Sequence, residues 1–69
     1  MSDVAARELR AFLAEQPFRS DSWKMLGEIF GQMRQPAAAA RAFEEAARRD
    51  VHDAESAQRA YIFRQLAGG

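Results

Sequence analysis

Apolar residues recur at intervals of three and four along nearly the whole chain, the repeat of a helix that buries one face. Val4, Leu9, Phe12 and Leu13 set one stripe within residues 3–16, and Trp23, Leu26, Phe30 and Met33 set a second within residues 21–34. Met25 and Ile29 form a row beside the second stripe, so that helix needs neighbours on both sides. Further helices are expected over residues 36–49, which open on the strong helix formers Ala37 to Ala40, and over residues 54–67. The breaks carry matching stop and start chemistry. Ser2 can cap the first helix and Pro17 ends it; Ser20 or Asp21 can cap the second; Pro36 suits the first position of the third; Asp53 can cap the fourth before Gly68 and Gly69. The pattern predicts an all-α chain of four helices in one domain, residues 1–69.

Small residues interrupt the stripes at particular places. A glycine inside a helix costs about 1 kcal/mol relative to alanine, a cost that close packing of Gly27 against the third helix would offset. Ala39 and Ala46 are the small residues on that facing helix, and Trp23, Leu26, Phe30 and Phe43 supply the fill. The spacing Trp23-x-x-Leu26-Gly27-x-x-Phe30, then Ala39-x-x-x-Phe43 and Ala46, resembles the tetratricopeptide repeat, a hairpin of two antiparallel helices. The match covers residues 20–53. Three positions depart from the family: Arg34 stands where a turn glycine is usual, Pro36 where an aromatic is common, and Val51 where the closing proline falls. A shift of one period, ~34 residues, aligns Leu9 with Phe43 and Ala5 with Ala39. The first helix therefore resembles the second half of a preceding repeat, although Phe12 falls where Ala46 is small. The fourth helix takes the place of a following repeat's first helix, but Tyr61 stands at the position of Gly27, so a capping role is expected.

Composition narrows the functional classes. A chain of 69 residues buries only about 60% of the surface its unfolded form exposes, so it has few apolar residues to spare from its core. Ten basic and ten acidic residues leave no net charge, which removes the simplest case for nucleic acid or an anionic membrane as partner. The absence of Cys excludes disulfides, thiolate metal sites and cysteine nucleophiles. Charges at Asp3, Arg7, Glu8, Arg10 and Glu15 interrupt any apolar leader, and a cytoplasmic location is expected. His52 with Asp50 and Asp53 is a weak metal or acid–base candidate whose ordinary reading is a helix end followed by a cap. No catalytic residue, metal or cofactor is expected. On the third helix, Arg41 with Glu45, Glu44 with Arg48 and Glu45 with Arg49 are spaced to pair and so to neutralise that face.

The final helix carries Tyr61, Ile62, Phe63 and Leu66 over too wide an arc for one neighbouring hairpin to cover. Exposed apolar surface of this kind marks a protein contact, and Ile62 and Phe63 are its candidates. In the alternative arrangement Tyr61 and Leu66 close the core and Ile62 and Phe63 lie at its edge. The family resemblance further implies a concave ligand surface lined by Asp21, Lys24, Glu28 and Gly31 and by Glu55, Gln58, Ile62 and Gln65. Lys24 matches a lysine with which some members clamp a terminal carboxylate, but Glu28 stands where their asparagine would be and would repel that ligand. A basic partner segment is expected instead, facing Asp21, Glu28 and Glu55. The expected function is a non-catalytic interaction module, an adaptor or chaperone-like subunit binding a partner protein or peptide. The alternative is a homo-oligomeric structural protein joined through the last helix, and a nucleic-acid-binding regulator comes third.

Overall fold

Helices form where the stripes place them. The computed structural model describes residues 2–15 and 20–68, the side chains of residues 2 and 12–15 excepted. Its elements are α1 (Ser2–Glu15), α2 (Ser20–Gln32), α3 (Pro36–Arg49) and α4 (Ala54–Gly68). Every end falls within two residues of expectation. The cap assigned to Ser2 and the stripe positions assigned to Phe12 and Leu13 rest on side chains that are not described, and the stop at Pro17 lies outside the described residues.

The α2–α3 turn explains why α2 stops two residues early. The amide of Gln35 donates to the carbonyl of Phe30 at 3.0 Å and that of Arg34 to Gly31 at 3.1 Å. This 6→1 and 5→2 pair is a Schellman closure, which requires a left-handed residue at its centre. Arg34 takes that conformation with φ 58°, a region that a side chain makes costly. Gln35, at φ −117° and ψ 75°, leaves the helical region that a following proline disfavours, and its carbonyl accepts the amide of Ala39 at 2.9 Å to start α3. At the other end of α3 the amide of Asp50 donates to Ala46 at 3.1 Å. The Asp50 carboxylate accepts the His52 amide at 3.0 Å, so the Asp50 to Asp53 segment is a turn followed by a cap.

Helix α3 is the centre of the molecule, packed against both α2 and α4, while α1 lies against α2 over a smaller contact. The Cα radius of gyration is 11.1 Å, close to the roughly 11 Å expected for a folded chain of this length. The core joins Ala6 of α1, Leu26 and Phe30 of α2, and Ala39 and Ala42 of α3, with Trp23, Ile29, Met33 and Phe63 packed around them. Phe43 and Ala46 are fully buried as well. Gly27 does what its spacing suggests: a β-carbon there would lie 2.8 Å from the Phe43 ring. Gly31, one turn later on the same face, meets Phe63 at the same 2.8 Å. The rings of Phe43 and Phe63 stack on each other, centroids 5.7 Å apart and planes 8° from parallel. Two glycines of α2 thus make a shelf on which one aromatic from α3 and one from α4 are stacked.

Candidate functional site

Helix α4 has two unlike faces. Its first turn is fixed by Asp53, whose carboxylate accepts the Ser56 amide at 3.0 Å and the Ser56 hydroxyl at 2.5 Å. These two bonds hold the Asp53 carboxyl below its ordinary value of 3.8, the side-chain bond contributing most. Ser56 is wholly buried, and burying its hydroxyl is tolerable because Asp53 accepts it. Ser56, Ala60 and Phe63 recur at four and three residues and turn inward. Successive helical residues are about 100° apart, which turns Gln58, Tyr61, Ile62 and Gln65 to the opposite, exposed side. Tyr61 is 66% exposed, Ile62 46% and Leu66 63%.

This corrects two expectations. Phe63 is not part of an exposed patch with Ile62. Its ring lies on Gly31 and against Phe43, because one residue along a helix turns a side chain from the outer to the inner face. Tyr61 and Leu66 do not close the core either; the stacked pair fills the space they would have entered. Gly31, placed by resemblance on an open ligand row, is the floor beneath Phe63.

The charged row is also differently used. Lys24 donates to Glu55 at 2.7 Å and approaches Asp53 at 3.8 Å, which ties α2 to the first turn of α4. The bond to Glu55 is the largest cause that raises the Lys24 ammonium above its ordinary 10.5, and the same bond lowers the Glu55 carboxyl. Glu28 faces Arg59 of α4 at 3.6 Å. Of the carboxylates expected to receive a basic partner, Glu28 and Glu55 therefore already meet cations of their own chain, and Asp21 is exposed at the start of α2. On α3, Glu45 pairs with Arg49 as spaced, and with Arg48 at 3.1 Å in place of Arg41. Glu44 reaches across to α4, accepting from Arg64 Nε at 2.7 Å and from its Nη2. The sequence reading of Glu44 with Arg48 failed because i,i+4 spacing ignores a cation on the neighbouring helix. Among the described residues, guanidinium groups also lie over rings: Arg49 over Trp23 and Arg10 over Phe30 at 5.1 Å, and Arg59 over Phe43 at 5.9 Å.

All three charged residues of α4, Glu55, Arg59 and Arg64, are thus turned toward partners on α2 or α3. What α4 presents outward is uncharged: two amides, Gln58 and Gln65, around Tyr61 and Ile62, with Leu66 at the edge. Ser56 escaped the sequence reading, although the spacing Asp53-x-x-Ser56 signals it, and the spacing Gly27-x-x-x-Gly31 points to the packing role of Gly31. A concavity of about 340 Å³ lies among α1, α2 and α3, lined by Trp23, Leu26, Phe30 and Ala42 with Arg10 and Arg41. Among the described residues no cluster of His, Asp and Glu is arranged to hold a metal ion, and no helix is long and apolar enough to cross a membrane. No protein-family model, curated protein or solved structure matches the chain.

Proposed function

We propose that the chain is a non-catalytic protein–protein interaction module, an adaptor or chaperone-like subunit of tetratricopeptide-repeat type, that engages another polypeptide in the cytoplasm through the outer face of α4. One observation carries this reading. The inner face of α4 is fully committed to the core, yet its outer face still carries Tyr61 and Ile62 in the open, with every charge of the helix drawn aside. In a chain with so small a core, large apolar side chains left together on one surface are the mark of a contact. The close approach of Gly27 to Phe43 supports the family resemblance, since that is where the repeat spacing requires a small residue. Lys24, Glu28 and Glu55 contribute less to such a contact than their exposure suggests, because a partner must first separate them from each other or from Arg59.

The test is a photo-crosslinking residue placed at Ile62 in the source cell, with a second placed at exposed Arg48 on α3 as control. Adducts to a polypeptide at position 62 and none at 48 are expected. Absence of adducts at 62, or equal labelling at both, would overturn the reading.

A further inference from the structure

We infer that the concavity among α1, α2 and α3 is a binding site for a small anionic amphiphile, an apolar chain that carries one carboxylate. The space arises because α1 packs against α2 and makes no comparable contact with α3. Helix α2 lines it with buried Leu26 and Phe30 and part-exposed Trp23, and α3 meets it with Ala38 and Ala42, side chains too small to fill it. Its volume of about 340 Å³ falls at the lower end of the roughly 300–1,000 Å³ of pockets that enclose small ligands. No lining residue belongs to α4, so the site is separate from the contact face of that helix.

The polar groups of the lining choose the head group. They are the guanidinium groups of Arg10 and Arg41 and the indole of Trp23, all of which donate hydrogen bonds and none of which accepts one. No Asp or Glu lines the space. Glu45, the residue spaced to pair with Arg41, is taken by Arg48 and Arg49, and among the described residues neither Arg41 nor Arg10 is in an ion pair. Arg10 is held over the Phe30 ring at 5.1 Å, a contact that steadies a guanidinium and leaves its in-plane N–H groups to donate. A head group suited to this lining carries negative charge and accepts without donating, and an ionised carboxylate does both. An ammonium brings only donors, and an alcohol or a peptide amide brings a hydrogen that the lining cannot accept.

Trp23 is the single tryptophan of the chain and lines the concavity, so its fluorescence reports occupancy. Octanoate, octanol and octylammonium share one tail and differ in head group. At neutral pH and below micelle formation, octanoate is expected to give a saturable change in emission. The other two are expected to bind about tenfold more weakly, the loss of a hydrogen bond between charged groups. Arg41→Gln, at an exposed position without an ion pair, is expected to weaken octanoate about tenfold while octanol binding and helicity stay unchanged. Ala38→Leu, which fills the concavity, is expected to abolish the response to octanoate with helicity retained. The inference is overturned by the absence of a saturable response to octanoate, by equal binding of octanol, or by an Arg41→Gln or Ala38→Leu protein that binds octanoate as the parent does. Tighter binding of N-acetyl-leucine than of octanoate would assign the concavity to the terminal carboxylate of a peptide and overturn it as well.

Discussion

Ile62 and Phe63 are adjacent, both large and both apolar, and they have opposite surroundings. Phe63 lies on Gly31 and against Phe43, in a seam built from three helices. Ile62 is 46% exposed on the far side of the same helix. The difference does not come from the residues' hydrophobicity, which would send both inward. It comes from the shelf on α2: two glycines one turn apart leave room for one stacked pair of rings, and whichever residue of α4 faces that shelf becomes core. Everything on the opposite side of α4 is left to the solvent or to a partner. The lesson is that the small residues of one helix decide which large residues of another are structural.

Among changes outside α4 itself, the comparison is broken most severely by filling the shelf. Gly27→Ala puts a β-carbon 2.8 Å from the fully buried Phe43 ring, and overpacking of that kind costs about 1–3 kcal/mol, against a smaller gain from helix propensity. Gly31→Ala approaches the outer end of the part-exposed Phe63 ring, which has room to give, so its loss in urea unfolding is expected to be the smaller of the two. If Gly31→Ala proves the costlier, the shelf has been read the wrong way round.

Next in size is the cap that orients the two faces of α4. Asp53→Ala removes the acceptor of the Ser56 amide and leaves the buried Ser56 hydroxyl without it; loss of such a cap costs about 1 kcal/mol, measured by thermal or urea unfolding. The same bond gives a pH dependence. The folded carboxyl lies below 3.8, so its stabilisation is complete above pH 3.8 and is lost as pH falls through the lower folded value. In Asp53→Ala that acid limb should shrink relative to the parent. An unchanged acid limb removes Asp53 from the account.

The smallest effect sharpens the comparison from a distance. Arg34→Gly places at the left-handed turn position the residue that tolerates it, and is expected to raise stability by about 0.5–1 kcal/mol without altering association through α4. A change in association would mean that the α2–α3 turn belongs to the contact surface.

Much of this fold was legible because its rules are local. Pro36, Asp53 and the three-and-four spacing of Trp23, Leu26 and Phe30 specify helix ends and faces within a few residues of themselves. Gly27 was legible too, since a glycine inside a helix needs a reason. Other features depend on a partner far along the chain. Glu44 binds Arg64 twenty residues away, Lys24 binds Glu55, and Phe63 finds Gly31, and none of these partners can be chosen by spacing alone. The charged row of the candidate site was legible only in part for that reason: the partners of Lys24 and Glu28 stand on α4, beyond the reach of spacing on α2.

The most direct measurement is urea unfolding of Ile62→Ala and Phe63→Ala side by side, at a protein concentration low enough to keep each chain apart from its neighbours. Phe63→Ala is expected to lower stability by about 2–3 kcal/mol, below the range for a fully buried ring because Phe63 is partly exposed, and Ile62→Ala to stay within about 0.5 kcal/mol of the parent. Equal losses at the two positions, or the larger loss at Ile62, would contradict the division of α4 into an inner face that holds the fold and an outer face that makes the contact.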